Sequence, residues 1–415
     1  LCGLSQTEGW LIFSRSLQGI GGALMIPATQ GIIMTHFAPH QRGKAIGLFV
    51  SIGSIFLSLG PLIGGSLTEY FSWHYVFWIN LPIAAIGLLL TLRSTPPSKG
   101  HKGKFDFLGF LTLVIGVTAL IVALMQAQHW GWSSPLTLSL LAVGVAFLIL
   151  LYQLRLRKSE HIIDFNLGKQ RSFIGGSGCI FITQFALMVT VFWAIYFQNI
   201  LHYSPSQAGV LAFLSNFPVI LGAPLAGFLV DRLGPRIPVV IGYSLMAISI
   251  AFLLCFENNE NTWLLILTLI PFGLGSPMTF TPSSVTMYAD VPLEKRGIAS
   301  GMNAALRQFS ATLGLALFGT LFSTVQTSQM SKELALSPDT ATLNVAQMDT
   351  LLSNTPQAVK EVHALSPIDA AYVYQVAERA FISGFFWINL VSMLALIAGV
   401  YFACRLLKNR PLHRD

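Results

Sequence analysis

Residues 48–67 read Leu-Phe-Val-Ser-Ile-Gly-Ser-Ile-Phe-Leu-Ser-Leu-Gly-Pro-Leu-Ile-Gly-Gly-Ser-Leu. The run is uncharged and long enough to cross a bilayer, which takes about 20 helical residues. It also carries Gly53, Gly60, Pro61, Gly64 and Gly65. In a soluble helix each glycine costs roughly 1 kcal/mol and an interior proline about 3 kcal/mol. In a membrane, neighbouring helices satisfy the freed backbone groups, and small residues let two backbones approach. The segment therefore reads as a tightly packed, kinked transmembrane helix. The Pro61 ring removes the hydrogen bond to the Leu57 carbonyl, which predicts a bend near 57–61, and Gly53, Gly60 and Gly64 are expected to face a second helix at close range.

The rest of the chain agrees with a membrane setting. Apolar residues make up 53% of it and charged residues 10%, against about 25% charged in soluble domains; the mean hydropathy is +0.67. The fold class is therefore an all-α polytopic membrane protein. Eleven spans are expected, at 8–35, 43–66, 74–93, 106–127, 135–155, 172–200, 205–231, 237–256, 262–288, 297–326 and 380–404. With 36–44 placed on the cytoplasmic side, 19 of the 24 Lys and Arg fall in cytoplasmic loops. The opposite side holds Lys332, Lys360 and Arg379, and only Arg15 and Arg307 lie inside spans. This is a strong positive-inside asymmetry, and it accounts for the net charge of +7 without invoking nucleic acid.

A repeat organises the spans. Shifted by about 254 residues, Arg42-Gly43 falls on Arg296-Gly297, Gly47 on Gly301, Gly60 on Gly314 and Gly19-Ile20-Gly21 on Gly273-Leu274-Gly275. Repeats in the same orientation, related by an axis along the membrane normal, are one plan for transporters. The second copy holds six spans, and the helix matching 8–35 is its fourth. The repeat thus predicts three helices ahead of residue 8, so the chain is read as N-terminally truncated, with about eleven of fourteen helices. Residues 1–93 would be the remainder of an N-terminal bundle (the end of its third helix and helices four to six). Residues 94–171 would carry two linker helices. Residues 172–407 would form a six-helix C-terminal bundle with an extracytoplasmic loop at 331–377.

These motifs resemble the major facilitator superfamily, and within it the fourteen-helix drug/proton antiporters of bacterial membranes. Gly53, Gly60, Pro61, Gly64 and Gly65 match the antiporter motif of that family's fifth helix. Arg15 and Gln18-Gly19 match the pattern of its fourth helix. Residues 73–82 match the start of its sixth helix, with His74 where arginine is usual. Gly227, Asp231, Arg232, Gly234 and Arg236 resemble the second copy of the cytoplasmic loop signature. The resemblance implies a multi-pass protein of the bacterial inner membrane that exports amphiphilic drugs or toxic compounds by alternating access, in proton-coupled antiport. The proton gradient would be the energy source, and no cofactor is implied. Its partners would be small amphiphilic molecules and the lipid bilayer; a periplasmic adaptor protein with an outer-membrane channel is a further candidate.

Candidate functional residues follow from charge and polarity inside spans. A buried charge in a membrane usually faces a cavity or a partner. Arg15 and Gln18 share one helix face. Asn303, Arg307, Ser310 and Gly314 form a polar stripe. Gln184, Met188, Phe192 and Tyr196 suit a promiscuous apolar cavity, and Asn216 adds a polar group. The expected substrate cavity is lined by Arg15, Gln18, Gln184, Met188, Phe192, Tyr196, Asn216, Asn303 and Arg307. Asp231 is expected to gate the cytoplasmic end by meeting either a neighbouring helix N-terminus, which favours anions, or Arg296. All seventeen Asp and Glu lie in loops or at span ends, so no residue here is an obvious proton carrier. The histidines have no metal-ligand spacing, and no nucleophile–base arrangement or phosphate loop is present. A metabolite or siderophore exporter is the alternative reading; a channel or a membrane-embedded enzyme is a weaker one.

Overall fold

Helix starts follow local chemistry. Thr7 Oγ1 accepts from the Trp10 N–H at 3.4 Å and opens the first long helix, and Asp106 Oδ1 accepts from the Gly109 N–H at 3.1 Å to open another. Each satisfies an orphan donor of a first helical turn. A computed structural model describes residues 1–38, 41–94, 106–155, 167–203, 205–255, 262–292, 295–334 and 367–408, apart from some side chains within them.

The helices are α1 (Glu8–His36), α2 (Arg42–Tyr70), α3 (Tyr75–Trp78), α4 (Asn80–Ser94), α5 (Phe107–Trp130), α6 (Pro135–Arg155), α7 (Arg171–Leu187), α8 (Val189–Asn199), α9 (Pro205–Leu233), α10 (Arg236–Cys255), α11 (Thr262–Tyr288), α12 (Arg296–Leu334) and α13 (Pro367–Leu406). No strand occurs among the described residues. From α3–α4 onward, nine spans among the described residues are long and apolar enough to cross a membrane. The protein is an all-helical, multi-pass membrane protein.

Three differences from the sequence reading have physical causes. The span 172–200 is two helices that meet at Met188. There the Met188 N–H turns to Phe185 O at 3.2 Å, and Thr190 Oγ1 donates to Leu187 O at 2.8 Å. Tightened i→i+3 bonds of this kind mark a local change of helix geometry. The span 74–93 is likewise divided, α3 from α4, at Ile79. Thirdly, the segment expected as a loop at 331–377 is helical at both its ends: α12 runs to Leu334 and α13 begins at Pro367. These ends are joined by the Tyr372 hydroxyl on Glu333 O at 3.0 Å and by Arg379–Glu333 at 3.3 Å. The expected bend at 57–61 falls largely on side chains outside the described residues, among them Pro61; the α2 backbone is helical there.

The main core lies among α7–α13. Trp193, Tyr196, Tyr243, Phe318 and Phe385 are almost fully buried. Trp193 Nε1 donates to Asn389 Oδ1 at 2.8 Å, which supplies the partner a buried indole needs. Interior prolines at 218, 224, 271, 277 and 282 are accommodated in α9 and α11. The first helices reach this body separately: α2 packs on α9 and α11, and α1 packs on α12. The α3–α4 span buries none of its apolar window. The α5–α6 hairpin closes at Gly116 and Gly144 and leans on α12, where Trp132 Nε1 donates to Thr320 Oγ1 at 2.9 Å.

Candidate functional site

The first turn of α2 contains no acidic residue, and Gln41 makes no side-chain cap. Its cap comes from α9. Asp231 Oδ1 accepts from the Gly43 N–H at 3.2 Å, and Oδ2 accepts from the Lys44 N–H at 3.1 Å. The carboxylate thus satisfies two orphan donors where the helix dipole favours negative charge.

Glycine makes this approach possible. A Cβ on Gly43 would lie 2.5 Å from Asp231 Oδ1 and 2.6 Å from Gly227 O; one on Gly227 would collide with Gly43 O, and one on Gly47 with Ala223 O. One turn further along α2, the Ser51 hydroxyl donates to Ile220 O at 2.7 Å. Residues 43, 47 and 51 therefore run antiparallel to 227, 223 and 220. Below them, Ile33, Ile46 and Val50 of α1 and α2 join Val230, Val285, Met287, Ala299, Met302 and Phe280 in one apolar cluster. We call this contact the seam.

The remaining residues of the loop signature surround it. Gly234 ends α9 at φ +80°, with its N–H on Val230 O at 3.0 Å, a backbone conformation glycine adopts without strain. Arg232 is exposed and stacks on Phe228 at 4.2 Å. Arg236 opens α10 and is half-buried. Arg296 is buried at the start of α12. Arg42 is buried too and donates Nε–H to Phe37 O at 3.3 Å. Burial first, and then the neighbouring Arg296 charge, pull the Arg42 pKa below the usual arginine value.

The expected close approach of Gly53, Gly60 and Gly64 to a second helix is not seen among the described residues. A Cβ built on Gly53, Gly60 or Gly64 meets nothing within 4 Å. The close helix–helix approach is made by Gly43 and Gly47, a few turns earlier on α2. Glycine density marked the correct helix, but it does not say which face packs. Pro61 and Gly65 belong to α2, with their surroundings outside the described residues.

The nine expected cavity residues do not converge on one place. Arg15 is exposed, donates to Gln18 Oε1 at 3.0 Å and stands 4.8 Å over the Phe77 ring. Gln18 lines a cavity of about 380 Å³ with Cys2, Phe77, Trp78 and Asn80. Asn216 lines a second cavity of about 150 Å³ with Trp193, Ser215, Phe272 and Ser276. The two cavities share no lining residue. Asn303 is fully buried and hydrogen-bonds Tyr288, while the half-buried Arg307 lies 4.3 Å over the Phe280 ring.

Phe192 and Tyr196 need correcting. Phe192 packs on Phe322 and Tyr196 stacks on Phe385 at 4.4 Å; both are buried in the core, and neither lines the two cavities described above. Hydropathy assigns an aromatic ring to a span, and burial of its large apolar area against other rings then holds it in the core. Met188 sits at the α7–α8 break against Gly314, whose Cβ would lie 2.7 Å from Phe185 O. Gln184 is half-buried in α7.

Sequence reasoning missed several residues. Gly43, Gly47 and Ser51 carry the seam, and the repeat had already flagged the two glycines. His74 stacks on Trp73 and bridges Ser72 Oγ at 2.8 Å and Ser5 O at 2.9 Å. It ties residues 1–5 to α3 from the position where the family pattern has arginine.

A family model described as Major Facilitator Superfamily matches residues 1–193 and, a second time, residues 174–328. Multidrug resistance protein Stp of Mycobacterium tuberculosis is 28% identical over 420 residues, covering 97% of this chain and 75% of Stp. Multidrug resistance protein 3 of Bacillus subtilis is 30% identical over 414 residues, covering 98% of this chain and 78% of that protein. Among solved structures, a bacterial homologue of the human lysosomal transporter Spinster, in an inward-facing and occupied conformation, aligns with a TM-score of 0.52 at 18% identity. The alignment covers 99% of this chain and 80% of that one, and this likeness concerns the fold alone.

Proposed function

Because the chain belongs to the major facilitator superfamily, we propose that it works as a secondary active exporter of amphiphilic drugs or toxic compounds in the bacterial inner membrane. Export is driven by proton antiport and proceeds by alternating access. Relatives whose names record multidrug resistance support the drug-export part of this reading.

The observation that carries the mechanism is the seam. Helices far apart in sequence, α2 and α9, meet there through a charge–dipole contact, glycine-mediated backbone approach and one hydroxyl bond. With 36–44 on the cytoplasmic side, the seam closes the cytoplasmic end. Small backbone contacts and a single carboxylate bind tightly when aligned and release together when one helix tilts, as a two-state closure requires. The two linker helices and the division into an N-terminal and a C-terminal bundle are part of the same proposal, as is the antiporter role of the Gly53–Gly65 segment. A periplasmic adaptor partner belongs to it as well.

The test is export from cells lacking their major efflux pumps. Expression should lower accumulation of an amphiphilic dye such as ethidium, and dissipating the proton gradient should restore accumulation to the control. Equal accumulation with and without the protein would refute the exporter reading.

A further inference from the structure

Arg307 is a cation well inside a membrane-length helix, and no described Asp or Glu forms an ion pair with it. It lies eleven residues from the start of α12, about 16 Å along the helix at 1.5 Å per residue, in a hydrocarbon layer about 30 Å thick. Its Nε is buried without a hydrogen-bond partner. Among the described residues the one ion pair is Arg379–Glu333, at the far end of the same helix, and α11 carries no Asp or Glu, nor does α12 apart from Glu333. The described neighbours of Arg307 are the Phe280 ring at 4.3 Å and Tyr288, with which it interacts electrostatically. An aromatic face attracts a cation but does not supply the counter-charge that a desolvated guanidinium requires.

The facing helix carries a matching polar group. Phe280, Ser284 and Tyr288 stand at i, i+4 and i+8 on α11 and so form one stripe. Phe280 meets Arg307 and Tyr288 meets Asn303, which places Ser284 between them. The Ser284 hydroxyl is buried and also lacks a partner. Buried polar groups are nearly always paired, so two orphans on facing stripes ask for a shared ligand. Phe280 also belongs to the seam cluster with Ile33 and Val50, so Arg307 stands where the first helices meet the second set. Its counterpart in the 254-residue repeat is Gly53, beside which there is open space.

We propose that Arg307, with Ser284, binds the negatively charged group of the transported compound, so that the exported amphiphiles include organic acids such as carboxylates. The inference rests on the exporter reading above and names its substrate class. The guanidinium offers a fork of donors suited to a carboxylate. A small inorganic anion such as chloride has the same chemistry, and the experiment separates the two.

Purified protein in proteoliposomes is given a proton gradient, and uptake of fluorescein, a carboxylate dye, is compared with that of the cationic dye ethidium. Rates are normalised to inserted protein, for the parent, Arg307→Gln, Arg307→Lys and Ser284→Ala. The inference predicts that the parent moves fluorescein and that Arg307→Gln lowers the fluorescein-to-ethidium ratio at least tenfold. Arg307→Lys should recover part of that ratio and Ser284→Ala lower it a few-fold, identically in chloride and in sulfate media. A parent that moves ethidium but not fluorescein overturns the inference and leaves the exporter reading standing. A parent that moves neither dye overturns the exporter reading. An unchanged ratio in Arg307→Gln, or a ratio that follows chloride, overturns the assignment of Arg307 to the substrate's acidic group.

Discussion

The Asp231 carboxylate at the end of α9 caps the N-terminus of α2, accepting from the Gly43 and Lys44 N–H groups at 3.2 and 3.1 Å. Asparagine at 231 keeps one acceptor oxygen and loses the charge. The lost charge–dipole and charge-assisted bonding amount to about 1–2 kcal/mol, a shift of roughly five- to thirtyfold in the closed-to-open equilibrium. Asp231→Asn should therefore speed labelling of a reporter cysteine placed at Val50, inside the seam cluster, by a cytoplasmic thiol reagent. Labelling at the parent rate would show that the cap does not hold the seam.

Gly47 and Gly53 should respond oppositely to alanine. At Gly47 the added methyl meets the Ala223 carbonyl, and backbone cannot move aside cheaply, so a cost of about 1–3 kcal/mol is expected. At Gly53 the methyl enters open space and gains about 1 kcal/mol of helix propensity. Thermal unfolding in detergent should show a lower Tm for Gly47→Ala and an equal or higher Tm for Gly53→Ala. A fall of the same size in both would mean that the α2–α9 approach is not where we place it.

This contrast marks what the sequence could disclose. The span 262–288 coincides with α11, and 135–155 with α6, because apolar length is set by bilayer thickness. Which face of a span packs is set by neighbours hundreds of residues away. Gly53 and Gly60 were conspicuous but open, whereas Gly43 and Gly47, singled out by the repeat alone, carry the contact. Asp231 was legible because an acid at a helix end has few uses. Phe192 and Tyr196 were not, since a ring facing a passage and a ring in a core have the same hydropathy. The break at Met188 carries no glycine or proline to announce it, and the helical continuation to Leu334 lies in polar sequence that a membrane pattern does not reach.

Trp193 and Asn389 form a buried pair at 2.8 Å. Trp193→Phe leaves the Asn389 carbonyl oxygen without its donor and should destabilise the protein by about 1–3 kcal/mol. Combining it with Asn389→Leu should cost less than the sum of the two single changes, because both orphaned groups are then gone. Strict additivity in thermal denaturation would indicate that the pair is not coupled.

Arg379 and Glu333 join the first part of α13 to the end of α12 at 3.3 Å, with the Arg379 side chain 60% exposed. An exposed pair of this kind is worth about 0–1 kcal/mol and is screened by salt. Arg379→Ala should change Tm by a small amount at low salt and by nothing measurable at high salt. A large loss that persists in salt would give this contact a structural weight that its exposure does not support.

The account stands on the seam opening in every transport cycle. The Ser51 hydroxyl donates to the Ile220 backbone carbonyl across it at 2.7 Å, which brings the two positions close enough that Ser51→Cys with Ile220→Cys, in a background lacking the four native cysteines, can be joined by a short cleavable cross-linker. Proton-driven dye transport is then measured before cross-linking, after it and after cleavage. The account predicts that transport stops in proportion to the cross-linked fraction and returns on cleavage. Transport continuing at the original rate in fully cross-linked protein would contradict it.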